Sequence, residues 1–484
     1  MSALRTLFKH TFIYGLATVL PRIISVILTP LYVYQLPKSD YGIYSVLMVY
    51  LILGNVLLSY GMETAFFRFM NREENPQKVQ STALTSVTLT TLVFFIVAWF
   101  LREHIAHYLN YEVAFIQYAI AILALDALVV IPFAWFRNAG KPVAYAAIKI
   151  GNVLVNLFLN LFFFLVLPKM ALGEPMASYF DFENKVHYIF IANLVASLLT
   201  FLVLLPLYVK IKFAFYPRLW RAMFAYAFPV LIAGIAFSIN EGFDRVFLRK
   251  LLPSETAHAT IGIYAACYKL GMFMTLFVTA YKLGVEPFFF NKARDKSAPQ
   301  TYATITYYFT IFGAFVLLFI TVYTDLFKRI LVPDPAYWEA LWIVPVILLA
   351  NLCLGIYHSL SVWYKITDRT SYGAYISIIG AIVTLVGNYA LIPILSYKGA
   401  ALATLLAYGT MMLLSYFIGQ YKYPIPYPMK KIGLFLGVST GASVLAFYVF
   451  DRNLWVGSFF VVCYLLLVFC LEGKQLIRLA NSRG

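Results

Sequence analysis

The chain has 484 residues, of which 62% are hydrophobic, 18% aromatic and only 12% charged. A soluble domain has charged residues at about a quarter of its positions, so this composition excludes a soluble protein and predicts one that faces lipid. The formal net charge of +16 comes from basic residues in short loops between apolar runs, a distribution that fits membrane topology better than a nucleic-acid-binding face.

Apolar runs of about 20 residues or more, the length that crosses a bilayer as a helix, recur along the whole chain. Fourteen spans are predicted, at residues 10–35, 41–67, 80–101, 112–136, 143–168, 186–209, 222–248, 259–290, 301–324, 337–364, 371–395, 398–420, 431–450 and 454–472. The eighth run is long for one crossing, and tilt or an extension into the cytoplasm would accommodate it. The first run has no small-residue cleavage site and reads as an uncleaved span.

The distribution of lysine and arginine predicts the orientation. With the N-terminus in the cytoplasm, 22 of the 37 basic residues fall in inside loops and termini and 10 fall in outside loops. Cytoplasmic loops are enriched in these residues, so both termini are predicted to be cytoplasmic.

Three short motifs occur twice, with spacings close to half the chain. They are Gly42-Ile43-Tyr44 and Gly262-Ile263-Tyr264 (220 apart), Gly61-x-Glu63 and Gly284-x-Glu286 followed by paired phenylalanines (223 apart), and Trp135-Phe136-Arg137 and Trp363-Tyr364-Lys365 (228 apart). A parallel repeat of six spans implies two related bundles about a pseudo-two-fold axis along the membrane normal. The predicted domains are a six-helix bundle at 1–209, a second at 210–424, and two additional helices with a cytoplasmic tail at 425–484.

No loop is long enough to hold a soluble domain, and the sequence has no Walker loop, dinucleotide fingerprint or His/Cys cluster. The four cysteines lie inside apolar runs with no metal-ligand spacing. We therefore expect no enzyme activity, cofactor or metal.

Charged side chains inside apolar runs are candidates for function, because a charge at mid-span costs about 2.5–3.5 kcal/mol on insertion scales. Arg22, Lys149 and Lys269 are predicted to be cations of a substrate cavity, where they would suit phosphate or carboxylate groups. The alternatives are a structural ion pair for Arg22 and snorkelling for Lys149.

The acids inside the runs divide into two groups. Asp126, Glu241 and Asp244 are candidates for ion coupling, although Glu241 and Asp244 also fit an ion network with Arg245 on the surface of their helix. The repeated pair Glu63 and Glu286 is predicted to be architectural, at an inner gate shared by both halves.

Three asparagines follow one another at intervals of four residues on span 5: Asn152, Asn156 and Asn160. This spacing places them on one face of a helix. Interhelical hydrogen bonding explains such a stripe, and so does a cavity face that meets sugar hydroxyls.

The residues Lys38–Ser45, Gly61–Phe69, Asp244–Leu248, Gly262–Tyr264 and Tyr268–Leu270 resemble the polysaccharide or oligosaccharide flippase family. The pattern is similar to the Wzx-type O-antigen flippases, in the MOP superfamily that includes MATE exporters and lipid II flippases. The resemblance extends over spans 1–12, and the predicted number of fourteen spans also agrees with this family.

This resemblance implies an all-α integral membrane protein in which two pseudo-symmetric six-helix bundles form a MATE-like V shape, with two extra C-terminal helices. It implies alternating access that moves an undecaprenyl-diphosphate-linked oligosaccharide from the inner to the outer leaflet of a bacterial cytoplasmic (inner) membrane, as in O-antigen and lipopolysaccharide biosynthesis. The resemblance gives phosphate-facing roles to Arg22 and Lys269. Implied partners are the lipid-linked substrate, membrane lipids, and a glycan polymerase or glycosyltransferases, with no nucleic acid.

Three other functions are compatible with parts of the pattern. A MATE-type cation-coupled drug exporter needs an acidic, aromatic cavity, which the mid-span cations oppose. A lipid II flippase shares the superfamily. A membrane polysaccharide polymerase needs catalytic residues on large outer loops, whereas the outer loops here are short.

Overall fold

The computed structural model describes residues 2–170, 184–211, 213–292, 295 and 297–481. Over these ranges the chain is helical with short turns, and no strand occurs. Thirteen helices in the described ranges are long and apolar enough to cross a membrane. An all-α membrane protein is therefore confirmed. The predicted first span lies in the helix Ser2–Gln35, of which the shorter apolar part is Val19–Gln35, so the count of fourteen stays a prediction.

The chain divides into two compact units, Met1–Val246 and Phe247–Gly484. The helices that begin in the first unit are α1 (Ser2–Gln35), α2 (Lys38–Ser59), α3 (Met62–Met70), α4 (Pro76–Phe100), α5 (Arg102–Leu109), α6 (Val113–Leu128), α7 (Val130–Asn138), α8 (Pro142–Leu161), α9 (Val186–Lys210) and α10 (Pro217–Leu251). Three of the predicted spans are interrupted helices, of which two lie here: α2 with α3, and α6 with α7.

The second unit also alternates long helices with short ones, and it ends with two long helices. The helices that begin in it are α11 (Ser254–Lys292), α12 (Ala298–Val322), α13 (Thr324–Leu331), α14 (Val344–Leu360), α15 (Val362–Ile366), α16 (Ser371–Leu395), α17 (Tyr397–Lys422), α18 (Met429–Val444) and α19 (Leu454–Asn481). A 3-10 helix, Pro335–Ile343, leads into α14. The long eighth run is confirmed as a single helix of 39 residues, α11.

The unit boundary falls inside α10, not at the repeat boundary predicted at residue 209. The part of α10 in the first unit packs antiparallel along α2, because a Cβ on Gly242 would meet Val49 at 2.9 Å and one on Gly234 would meet Val56 at 2.9 Å. The predicted six-helix bundles at 1–209 and 210–424, and the additional helices at 425–484, are not tested by this division and stay predictions.

Local sequence chemistry sets where several helices begin. At α4, Pro76 occupies the first turn, where its missing N–H is not needed, and the Asn75 side chain accepts hydrogen bonds from the backbone N–H groups of Gln77 (3.1 Å) and Lys78 (3.3 Å). At α19, Asn453 caps Trp455 in the same way at 3.0 Å. Such caps satisfy the orphan donors of the first turn.

Each unit has an apolar core at the end of its motif-bearing span. In the first unit Phe66 is fully buried with Val79 and Ala134. In the second, Phe289 is buried with Tyr302 and Trp363. The repeated phenylalanine and tryptophan motifs therefore fill corresponding cores, which explains why the sequence keeps both.

Candidate functional site

The first unit holds a polar cluster in its membrane spans, built around α8. Lys149 on α8 is half-buried, and its Nζ lies 4.4 Å from the ring centroid of Phe133 on α7. In the part of the chain that the structure describes, no carboxylate oxygen lies within 4.0 Å of this ammonium group. The charges that act on it over longer distances are those of Asp126, Glu63 and Arg137. A cation–π contact stabilises an ammonium without supplying a counter-charge, so Lys149 has an aromatic contact and, among the described residues, no carboxylate in direct contact.

Asp126 on α6 is held by neutral donors. Ser197 on α9 donates its hydroxyl to Oδ1 at 2.7 Å, and Asn55 on α2 donates its side-chain amide to Oδ2 at 3.3 Å. The charge of Lys149 acts on this carboxylate from beyond ion-pair distance. Three helices therefore fix the position of Asp126 while leaving its charge uncompensated by direct contact.

The asparagine stripe of α8 contacts the helices on either side. Asn152 donates to the Thr200 hydroxyl on α9 at 2.9 Å. Asn160 is fully buried, accepts a hydrogen bond from the Tyr32 hydroxyl on α1 at 2.8 Å, and donates to the Asn156 backbone carbonyl at 2.7 Å. Interhelical bonding thus accounts for the two ends of the stripe, and the half-buried Asn156 between them remains a candidate cavity residue.

The Tyr32–Asn160 bond also sets the relative depth of two cations. α1 packs against α8, and both cross the membrane in the same direction because successive spans alternate. Arg22 precedes Tyr32 by ten residues and Lys149 precedes Asn160 by eleven. At a rise of 1.5 Å per residue the two cations lie about 15 and about 17 Å along their helices from that bond. Arg22, which is half-buried, and Lys149 are therefore at nearly equal depth on neighbouring helices.

Glu63, at the start of α3, forms an ion pair with Arg137 at the end of α7, with 2.7 Å between Oε1 and Nη1. Both side chains are about two-fifths exposed, and Arg137 also lies over the Phe67 ring at 4.8 Å. This contact between two helix ends fits an architectural role, which stays a prediction. Its counterpart Glu286 lies within α11, and its side chain lies outside what the structure describes.

The acids of α10 lie on the part of that helix that packs along α2. Asp244 is buried and accepts a hydrogen bond from the Arg245 backbone N–H at 2.7 Å. The Arg245 charge acts on Tyr44 of α2. Glu241 is half-buried on the same helix. The hydrogen bonds that gather Asp126 and the asparagines do not include these acids.

Lys269 belongs to the second unit, where it lies half-buried on α11. It follows Cys267, whose thiol contacts the Tyr337 carbonyl at 3.2 Å. Its role beside Arg22 stays a prediction.

Sequence analysis missed the hydroxyl and amide residues that complete the cluster: Tyr32, Asn55, Ser197 and Thr200. Each is an uncharged polar residue within an apolar run, and such residues are too common in spans to be selected without knowing which helices are neighbours. The signal available was the spacing of Ser197 and Thr200, which lie one turn apart on one face of α9.

The fold is similar to those of solved membrane transporters. The structure of "Lipid II flippase MurJ, inward closed conformation" aligns with a TM-score of 0.71 and 14% identity, covering 96% of this chain and 100% of that one. A multidrug resistance MATE family transporter of the MOP superfamily, inward-facing, aligns at 0.65 with 12% identity over 83% of this chain and 94% of that one. A MOP superfamily transporter from Pyrococcus furiosus, described by "reverse polarity of binding pocket", aligns at 0.58 with 12% identity, covering 88% and 96%.

At these identities the structural likeness shows the fold of a multi-pass membrane transporter. The sequence shows more, because a family profile described as "Polysaccharide biosynthesis protein" matches residues 7–291. This chain belongs to the polysaccharide biosynthesis protein family, and the predicted family is confirmed. No curated protein sequence matches the chain.

Proposed function

We propose that this protein is a flippase that moves an undecaprenyl-diphosphate-linked oligosaccharide or polysaccharide repeat unit from the inner to the outer leaflet of a bacterial cytoplasmic membrane. The observation that carries the proposal is the pair Arg22 and Lys149, at nearly equal depth on neighbouring helices of a polysaccharide biosynthesis family member. Two cations at one level match the two phosphates of a lipid diphosphate.

The energetic problem of such a cargo is the desolvation of its phosphates in an apolar barrier. A guanidinium offers paired donors to phosphate oxygens and an ammonium offers a compact charge. Lys149 has no carboxylate within 4.0 Å among the described residues, so a phosphate does not have to displace an existing ion pair. Lys269 on α11 is proposed as a further phosphate-facing cation.

Sugars would meet the polar face of α8. Asn156 lies on the same helix face as Lys149, seven residues or about two turns further along. Its side-chain carbonyl accepts from Asn160 at 3.1 Å, and an amide group has further donors and acceptors for hydroxyls. A diphosphate at Lys149 would therefore place the first sugars beside the stripe.

Ion coupling is proposed for Asp126, because its carboxylate is anchored by Ser197 and Asn55 yet makes no direct ion pair with Lys149. A phosphate bound at Lys149 would repel the Asp126 charge, and uptake of a proton or a cation there would remove the repulsion. Glu241 and Asp244 remain secondary candidates on α10. The membrane orientation with both termini inside, and association with a glycan polymerase or glycosyltransferases, belong to the same proposal.

The alternatives make different demands on the same fold. A drug exporter of the MATE type binds organic cations, which Arg22 and Lys149 would repel. A lipid II flippase would carry the same diphosphate with a different glycan. The Pyrococcus furiosus transporter, whose pocket is described as having reverse polarity and a different function, is a precedent for separating functions by pocket charge within this fold.

Binding of undecaprenyl diphosphate to the full-length protein in lipid nanodiscs tests the site. A charged hydrogen bond contributes about 1.5–3 kcal/mol, so Arg22→Ala and Lys149→Ala should each weaken affinity by about tenfold or more, and the double variant further. The matched control is Lys250→Ala, which removes an exposed lysine at the outer end of α10 and should leave affinity unchanged. Equal affinity of the wild type and the double variant would refute the proposed site.

A further inference from the structure

One sequence motif adopts two backbone conformations in this protein. In the first copy α2 ends at Ser59, Tyr60 and Gly61 both have left-handed backbones (φ of 33° and 71°), and α3 starts at Met62. In the second copy, 223 residues later, Gly284 lies within the continuous helix α11. The same motif therefore breaks a span in one half and continues it in the other.

Glycine is required at the first position. A Cβ on Gly61 would lie 2.5 Å from the Ala227 carbonyl oxygen and 3.1 Å from the Val230 Cβ of α10, and the positive φ disfavours any other residue. A hydrogen bond of 2.7 Å between the Tyr60 hydroxyl and Ser86 Oγ on α4 fixes the broken conformation. Ser86 Oγ also accepts a hydrogen bond from the Trp220 side chain on α10. The positive φ and the close approach of α10 in the broken conformation therefore explain why residue 61 is a glycine.

Glycine has no such explanation at the second position. Gly284 has no positive φ, and no atom lies within 4 Å of the place where its Cβ would be. Three residues on, Pro287 lacks the N–H that would bond to the Leu283 carbonyl in a continuous helix. Glycine and proline are the two poorest residues for a helix interior, so the continuous helix α11 contains two residues that disfavour it, and at Gly284 no close contact requires glycine.

Hydrogen bonds to neighbouring helices fix α11 before and after Gly284, whereas no atom lies within 4 Å of the place where a Cβ of Gly284 would be. Before it, the Tyr281 hydroxyl lies 2.6 Å from Ser359 Oγ on α14. After it, the Phe289 carbonyl accepts a hydrogen bond from the Tyr302 hydroxyl on α12 at 2.9 Å. Leu283 stands at the position of Tyr60, and having no hydroxyl it cannot form the clamp that fixes the broken form in the first copy.

We propose that Gly284 and Pro287 form a hinge in α11, and that the protein alternates between the continuous helix of this structure and one broken at Leu283–Gly284 as the first copy is broken at Tyr60–Gly61. The first copy shows the conformation that the second copy would reach. The inference rests on the two copies of the motif and does not depend on which cargo is carried.

Hydrogen–deuterium exchange of the full-length protein in phosphatidylethanolamine–phosphatidylglycerol nanodiscs tests the hinge. We expect amides in a peptide covering residues 281–289 to exchange at least tenfold faster than those at 262–275 of the same helix. The variant Gly284→Ala/Pro287→Ala restores good helix formers and should slow exchange at 281–289 by at least tenfold. Gly284→Ala alone, which keeps the native proline, should give an intermediate rate.

The matched control is Gly409→Ala on α17, where a Cβ also meets nothing within 4 Å. It should leave exchange at 281–289 at the wild-type rate, which separates a local hinge from general stabilisation. Wild-type exchange at 281–289 as slow as in the rest of α11, or an unchanged rate in the double variant, would overturn the hinge. Neither result would bear on the binding of undecaprenyl diphosphate at Arg22 and Lys149.

Discussion

Asp126 is the acid whose surroundings the structure defines most closely. Its two oxygens accept hydrogen bonds from Ser197 and Asn55, on two other helices. These donors are neutral, so they fix the side chain while its negative charge acts on Lys149 at a distance. A substitution of Asp126 that keeps the hydrogen bond from Ser197 but removes the negative charge therefore separates the effect of the charge from that of the side chain's position.

Asp126→Asn should keep the protein folded, because the amide oxygen still accepts from Ser197. Asp126→Ala should lower the melting temperature, because it leaves buried donors without an acceptor at a cost of about 1–3 kcal/mol. In proteoliposomes Asp126→Asn should bind undecaprenyl diphosphate but lose any response of transport to an imposed proton gradient. A gradient response as strong as in the wild type would exclude Asp126 as the coupling residue.

The ion pair of Glu63 with Arg137 shows how far residue types predict contacts. The repeat of Glu63 at Glu286 predicted an architectural role, and Arg137 belongs to another repeated motif. Nothing in either motif gives the 2.7 Å contact, because it depends on how α3 and α7 end beside each other. Tyr32 and Thr200 were missed for the same reason: a neutral residue is identified only by its neighbours.

At the level of elements, the break between α2 and α3 was not predicted. Residues 41–67 were predicted as one uninterrupted span, because hydropathy indicates which residues face lipid and does not indicate where the backbone leaves the helical conformation. The left-handed conformation of Tyr60 is selected by packing against α4 and α10. Where the helix is continuous, as in α11, a single span was predicted at 259–290, and the helix extends beyond it at both ends, from Ser254 to Lys292.

Gly61→Ala should destabilise the protein strongly. The new Cβ would lie 2.5 Å from the Ala227 carbonyl oxygen of α10, a backbone atom that cannot rotate away, at a positive φ. We expect a loss of about 1–3 kcal/mol, seen as a lower melting temperature in detergent. Gly151→Ala on α8, where a Cβ meets nothing within 4 Å, is the control and should be neutral or stabilising. Equal melting temperatures for the two variants would show that the break is not rigidly held.

Within the second unit, a buried carboxylate joins the additional helices α18 and α19 to α12. Glu472 on α19 is fully buried, accepts a hydrogen bond from the Tyr307 hydroxyl on α12 at 2.7 Å, and pairs with Lys431 on α18 at 2.6 Å. Sequence analysis placed these two spans correctly but treated residue 472 as the end of a run. In the sequence, a charged residue at the end of an apolar run indicates the boundary of the span. In the structure, Glu472 instead binds α19 to α12 and α18.

At the scale of the whole molecule, the resemblance carried by segments such as Lys38–Ser45 and Gly61–Phe69 predicted the family, and composition and span lengths were sufficient to predict the all-α membrane class. The physical reason is that lipid imposes a single secondary structure and a fixed span length. Sequence alone does not set the boundary of the compact units, which falls inside α10 because that helix packs along α2. The V-shaped arrangement of two bundles stays a prediction.

The central claim is that the cargo is a lipid diphosphate carried past Arg22 and Lys149. Its most direct test is translocation of an undecaprenyl-diphosphate-linked oligosaccharide in liposomes that contain the purified protein, scored by access of an enzyme or lectin added outside. The wild type and Lys250→Ala should translocate the lipid, and Arg22→Ala/Lys149→Ala should do so at least tenfold more slowly. Translocation at the wild-type rate by the double variant, or no translocation by the wild type alongside export of organic cations, would contradict the account.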